Sequence, residues 1–126
     1  MAISKKIREL VYNKLGGHCA YCGKEIEYKE MQVDHLHPQA LNHFLAIGRD
    51  LNGDLIMPDP DRFDNLMPSC RRCNHYKRGY TLDFYRGMID TIHERIRSSN
   101  YIIKVAEDYG LMEFKQFNGL FYFERT

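Results

Sequence analysis

Asn65-Leu66-Met67-Pro68-Ser69-Cys70-Arg71-Arg72-Cys73-Asn74-His75-Tyr76-Lys77 is the stretch around which the rest of the sequence arranges itself. It joins a Cys-x-x-Cys pair to a run of basic residues and two asparagines. Upstream, Cys19-Ala20-Tyr21-Cys22 repeats the cysteine spacing, and Asp34-His35 offers an acid and a base side by side.

The cysteines decide the framework. Zinc takes four thiolates tetrahedrally, and two Cys-x-x-Cys turns supply them without strain. The set Cys19, Cys22, Cys70 and Cys73 uses every cysteine of the chain. Free thiols or a single redox pair are the competing readings, and they leave the second turn unexplained. The 47 residues between Cys22 and Cys70 exceed the roughly 15–20 of a zinc ribbon. A structured insertion must therefore separate the two turns, and Asp34-His35 lies within it.

A length of 126 residues and an apolar share of 44% fit one small α+β domain that gains from a metal staple. The expected division is a core over about 17–80 and a helical tail over 81–126. Met1-Ala2-Ile3-Ser4-Lys5-Lys6 lacks the apolar run of a secretory signal, and no stretch is long enough to span a membrane. The expected setting is cytoplasmic and reducing, where paired cysteines hold metal more often than they form disulfides. A net charge of +1 points to no partner, but its distribution does. Residues 70–80 carry Arg71, Arg72, Lys77 and Arg78 without an acid, a patch able to bind phosphate. Residues 50–64 carry Asp50, Asp54, Asp59, Asp61 and Asp64 against Arg62 alone.

Taken in order, Ile3, Ile7, Leu10, Val11 and Leu15 recur at helical spacing, with Lys5, Lys6, Arg8 and Lys14 mostly outside and Gly16-Gly17 ending the helix. Residues 31–35 alternate as a short strand. Leu41, Phe44, Leu45 and Ile47 suit a short helix, and the rest of 41–64 reads as loop. A second strand is expected over 63–67, ended by Pro68, and a helix over about 71–80. Thr81 reads as the cap of a helix whose stripe Tyr85, Met88, Ile89, Ile92 and Ile96 stops at Ser98-Ser99-Asn100. A shorter helix over 101–109 and an aromatic terminal strand at 119–124 complete the chain.

Asp34 and His35, adjacent on a strand, point to opposite faces. A hard divalent cation such as Mg2+ prefers oxygen donors, which Asp34 and an asparagine amide supply. A neutral imidazole beside such an ion can take a proton from water.

Cys19-x-x-Cys22, Asp34-His35-x-x-Pro38, Asn65-Leu66 and Cys70-x-x-Cys73-Asn74-x-x-Lys77 together resemble the zinc-binding HNH endonucleases. The resemblance is close over about 17–80. The tail resembles, more loosely, small HNH proteins of phages and mobile elements. It implies the ββα-metal fold, in which two strands and a helix surround one catalytic divalent ion. His35 would be the general base, with Asp34 and Asn74 binding the ion. Asn65 would brace the loop that carries His35. Arg71, Arg72, Lys77 and Arg78 would grip DNA phosphates. Arg78 stands where many members carry a histidine, so metal binding would rest on two side chains plus phosphate and water.

The implied activity is hydrolysis of DNA phosphodiester bonds, by nicking or cleavage, with structural zinc and catalytic Mg2+ or a similar ion. Two alternatives remain open from sequence. One is a zinc-stapled module that binds nucleic acid or protein without cutting. The other is a nuclease active only with a protein partner, docked through residues 41–64, or as a homodimer.

Overall fold

The computed structural model describes residues 3–38, 48–56 and 59–125. The elements run α1 (Lys5–Asn13), β1 (Gln32–His35), β2 (Gly48–Arg49), β3 (Leu55–Ile56), β4 (Leu66–Ser69), α2 (Arg71–Lys77), α3 (Leu82–Asp90), α4 (Ile92–Ser99), α5 (Tyr101–Asp108) and α6 (Tyr122–Arg125). The result is an α+β fold in which two strands and a helix, β1, β4 and α2, carry the residues of interest. Packing separates two compact units. One holds the chain up to Leu82 together with residues from Phe121 onward, and the other is Asp83–Leu120.

In the first unit, Ser4 caps α1 by accepting the Ile7 amide at 3.2 Å, and Gly16 and Gly17 end the helix at φ of 62° and 82°. Ile3, Ile7, Val11 and Tyr12 pack with Met31, Val33 and Leu66 as the hydrophobic core. Two of the four bases expected outside on α1 instead serve the interior. Arg8 donates to the carbonyls of Tyr28 and Met31, each at 2.7 Å. Lys14, just past α1, does the same for Phe63 and Leu66, each at 2.7 Å, so this segment fastens the chain at the starts of β1 and β4.

β1 and β4 pair antiparallel, with Asp34 opposite Met67 and His35 opposite Leu66. Pro68 was expected to end the second strand, yet it lies inside β4 opposite Val33. A two-stranded sheet leaves each strand an outward edge, where a residue without an N–H costs no ladder bond. The first cysteine turn docks on that edge, the Ala20 amide donating to Pro68 O at 2.8 Å.

The region read as loop over 48–64 contains the small hairpin β2–β3, with Gly48 opposite Ile56. Asp50 builds its turn by accepting the amides of Asn52 and Asp54 at 2.8 and 3.0 Å, as aspartates commonly do. The short helix expected around Leu41, Phe44, Leu45 and Ile47 lies outside the described residues.

The terminal strand expected at 119–124 is instead the short helix α6. Glu124 accepts the Phe121 amide at 2.9 Å, the glutamate half of a capping box that starts a helix. The amides of Tyr122 and Phe123 donate to Tyr21 O and Ala20 O at 3.1 and 2.8 Å, strapping this segment over the first cysteine turn.

In the second unit, the single helix expected through Ser98 is broken at Thr91, whose hydroxyl donates to Gly87 O at 2.9 Å. Arg97 of α4 holds Glu107 of α5 through both carboxylate oxygens, each with a contact at 2.9 Å. That grip keeps the Glu107 carboxyl below its ordinary range. Tyr85 is buried as its stripe requires, whereas Tyr101 and Ile102 are exposed.

Candidate functional site

The sulfurs of Cys19, Cys22, Cys70 and Cys73 all lie within 4.8 Å of one another. Cys22 and Cys70 are 3.9 Å apart. A tetrahedron of sulfurs about 2.3 Å from zinc has edges of about 3.8 Å, so the donor set fits such an ion. Local backbone makes the cluster. Gly23, at φ 83°, lets its amide return to Cys19 O at 3.0 Å, and Cys70 caps α2 through the Cys73 amide at 3.4 Å. The Cys22 and Cys73 thiols donate to Cys19, which drives its ionisation far below the ordinary thiol range. Those same bonds to Cys19 push Cys73 and Cys22 up. A divalent cation would favour four thiolates here.

Below the cluster, α2 lies along one face of β1. Asn74 donates to Gln32 at 2.6 Å. One turn later Lys77 reaches Oδ2 of Asp34 at 3.1 Å and His35 O at 3.1 Å. Gln32 and Asp34 sit two residues apart on the strand, hence on the same face. The Tyr21 hydroxyl also donates to Asp34 Oδ2. Asp34 is therefore a buried carboxylate held by a phenol and an ammonium. Lys77 was expected on the DNA-facing surface. It is instead fully buried, because its ammonium offsets the charge of Asp34. Arg71, Arg72 and Arg78 are exposed.

His35 ends β1, next to Asp34 in the strand. Its Nε2 lies 2.7 Å from Oδ1 of Asp61. Asn65, 1% exposed, spends its side chain on backbone. Oδ1 accepts the His37 amide at 2.8 Å, while Nδ2 donates to His37 O at 3.1 Å and Pro60 O at 2.8 Å. The Asn65 carbonyl accepts the Leu36 amide at 2.8 Å. Asn65 thus ties the chain leaving β1 to the turn that carries Asp61.

Sequence reasoning singled out Asp34, His35, Asn65 and Asn74 but missed Tyr21, Gln32 and Asp61 around them. Tyr21 lies between the first two cysteines, and Gln32 shares the strand face of Asp34, so both had a positional signal. Asp61 had none beyond its place among several aspartates. Of the other histidines, His18 stacks on Tyr122 and His93 meets Phe114 at a tilt of 37°, with centroids 5.3 and 4.6 Å apart.

Residues 19–78 match the HNH endonuclease family. No curated protein matches the chain. Among solved structures, the type II-C Cas9 enzyme from Actinomyces naeslundii is similar at 22% identity and a TM-score of 0.48, over 92% of this chain. This chain spans 12% of the length of that enzyme. No described helix is long and apolar enough to cross a membrane.

Proposed function

From the match of residues 19–78 to the HNH endonucleases, we propose that this chain hydrolyses DNA phosphodiester bonds, with His35 as general base. The observation that supports this best is the position of His35. It ends β1 one residue after the buried carboxylate of Asp34, and the chain after it is pinned by the buried side chain of Asn65. An imidazole held that firmly can accept a proton from water at the moment of attack on phosphorus.

Asp34 and Asn74 would hold a hard divalent ion such as Mg2+. The donor set fits. A carboxylate has about four lone-pair sites, of which Tyr21 and Lys77 use part. Asn74 commits its amide nitrogen to Gln32, which leaves amide oxygen as the donor type for a cation. When bound, such an ion neutralises phosphate charge and favours departure of the 3′-oxygen. Zinc in the four-cysteine cluster is structural, joining the turn of Cys19 and Cys22 to the start of α2. Arg71, Arg72 and Arg78 grip neighbouring phosphates, and one such centre nicks one strand per event.

The test is incubation of supercoiled plasmid with the protein and Mg2+, beside the His35→Ala variant and a chelated control. Nicking that falls by about 100-fold or more in the variant is the expected result. Equal rates would overturn the role of His35. Binding without cleavage under every divalent ion would favour a zinc-stapled binding module instead.

A further inference from the structure

The insertion between Cys22 and Cys70 contributes more than length. We propose that Asp61 is a positioning residue for His35, fixing the rotation and tautomer of its imidazole; the inference rests on the reading of His35 as the general base. Oδ1 of Asp61 lies 2.7 Å from Nε2 of His35, and the two side chains are 16% and 24% exposed. Exposed ion pairs are weak and often incidental. This pair is neither fully exposed nor incidental, because the buried Asn65 side chain ties the segments of both partners.

On the Asp61 side, its amide donates to Asp59 Oδ1 at 2.9 Å, and the Arg62 amide donates to Asp59 O at 3.2 Å. Asn65 closes the turn through Pro60 O and through its own amide on Arg62 O at 2.9 Å. On the His35 side, the same Asn65 holds Leu36 and His37. One buried amide side chain therefore sets the separation of two segments 26 residues apart in sequence. Of the three aspartates in 59–64, only Asp61 is turned inward. Asp59 builds the turn, and Asp64 pairs with Arg62 in solvent.

The chemistry follows from the inventory of hydrogens. A carboxylate only accepts, and a neutral imidazole carries one N–H and one lone pair. With Nε2–H donated to Asp61, the lone pair that accepts a proton from water lies on Nδ1. Exchanging the carboxylate for an amide removes the preference for that tautomer and admits the wrong one, as in other acid–histidine pairs.

The experiment compares zinc-loaded wild type, Asp61→Asn, Asp61→Glu and Asp64→Asn. Plasmid nicking by Asp61→Asn is expected to fall about 100-fold or more in kcat, with KM for DNA, zinc content and circular dichroism unchanged. Asp61→Glu should recover part of the loss, and Asp64→Asn should match wild type. Nitrogen-15 spectra of histidine-labelled protein without Mg2+ should show His35 protonated on Nε2 in wild type and redistributed in Asp61→Asn. A wild-type nicking rate in Asp61→Asn overturns the proposal, as does an unchanged His35 tautomer. A wild-type protein that nicks nothing while the tautomer still responds would sink the nuclease reading and reduce the pair to a structural contact.

Discussion

The ammonium of Lys77 stands 3.1 Å from Oδ2 of Asp34, with side chains 0% and 7% exposed. Removing one member of such a pair leaves a charge without its partner in the interior, typically at a cost of about 3–5 kcal/mol. Lys77→Met is therefore expected to lower the urea midpoint strongly. Adding Asp34→Asn should recover much of that loss in a double-mutant cycle. Additive losses would mean the two groups do not compensate each other.

The cysteine cluster predicts one tightly held metal ion per chain, readable by elemental analysis. Chelation, or Cys73→Ser, should abolish cooperative unfolding, because the binding free energy of a structural zinc is folding free energy. Metal ligation requires deprotonated thiols, so retention should weaken as pH falls. Retention that ignores acid would argue against thiolate ligands.

Phosphate contacts should separate from interior ones in their response to salt. Each exposed arginine that neutralises a phosphate contributes about 0.9 to the slope of log K against log salt. Arg71→Gln and Arg72→Gln should each flatten the slope by about that amount. Asp64→Asn, which removes no cation, should leave it in place. Identical slopes for wild type and the arginine variants would remove these side chains from the interface.

Gly23 takes φ 83°, and an added Cβ would come within 2.6 Å of the Tyr122 ring. Gly23→Ala should cost about 1–2 kcal/mol for the left-handed backbone alone, with the ring clash in addition. Combining it with Tyr122→Ala should relieve only the clash. Chemical denaturation of the single and double variants checks both parts, and an unchanged midpoint in Gly23→Ala would refute the close approach.

Local chemistry was legible where it is self-sufficient. Two Cys-x-x-Cys turns specify a thiolate cluster wherever the chain brings them together. Alternation through Gln32 and Asp34 set β1 and put Asp34 and His35 on opposite faces. The misreadings come from tertiary context. Lys77 looked like one more surface base, since charge in a sequence says nothing about burial. Pro68 looked like a terminator because the sequence does not reveal that its strand has a free edge. Phe121-Tyr122-Phe123 looked like a strand by composition, but the return bond from Glu124 to Phe121 favours a helical turn. Asp61 was indistinguishable from its acidic neighbours, and only the grip of Asn65 on Pro60 sets it apart.

The strap of Tyr122 and Phe123 across Tyr21 and Ala20 also bears on synthesis. Those amides leave the ribosome about a hundred residues after the carbonyls they bond, a lag of about 5–20 s at ordinary elongation rates. Throughout that interval the nascent chain presents its first two thiols without their outer cover. Capture of a cation by the complete quartet can precede the cover, because Cys73 emerges well before residue 121. The aromatic clasp then closes after the four thiols have met.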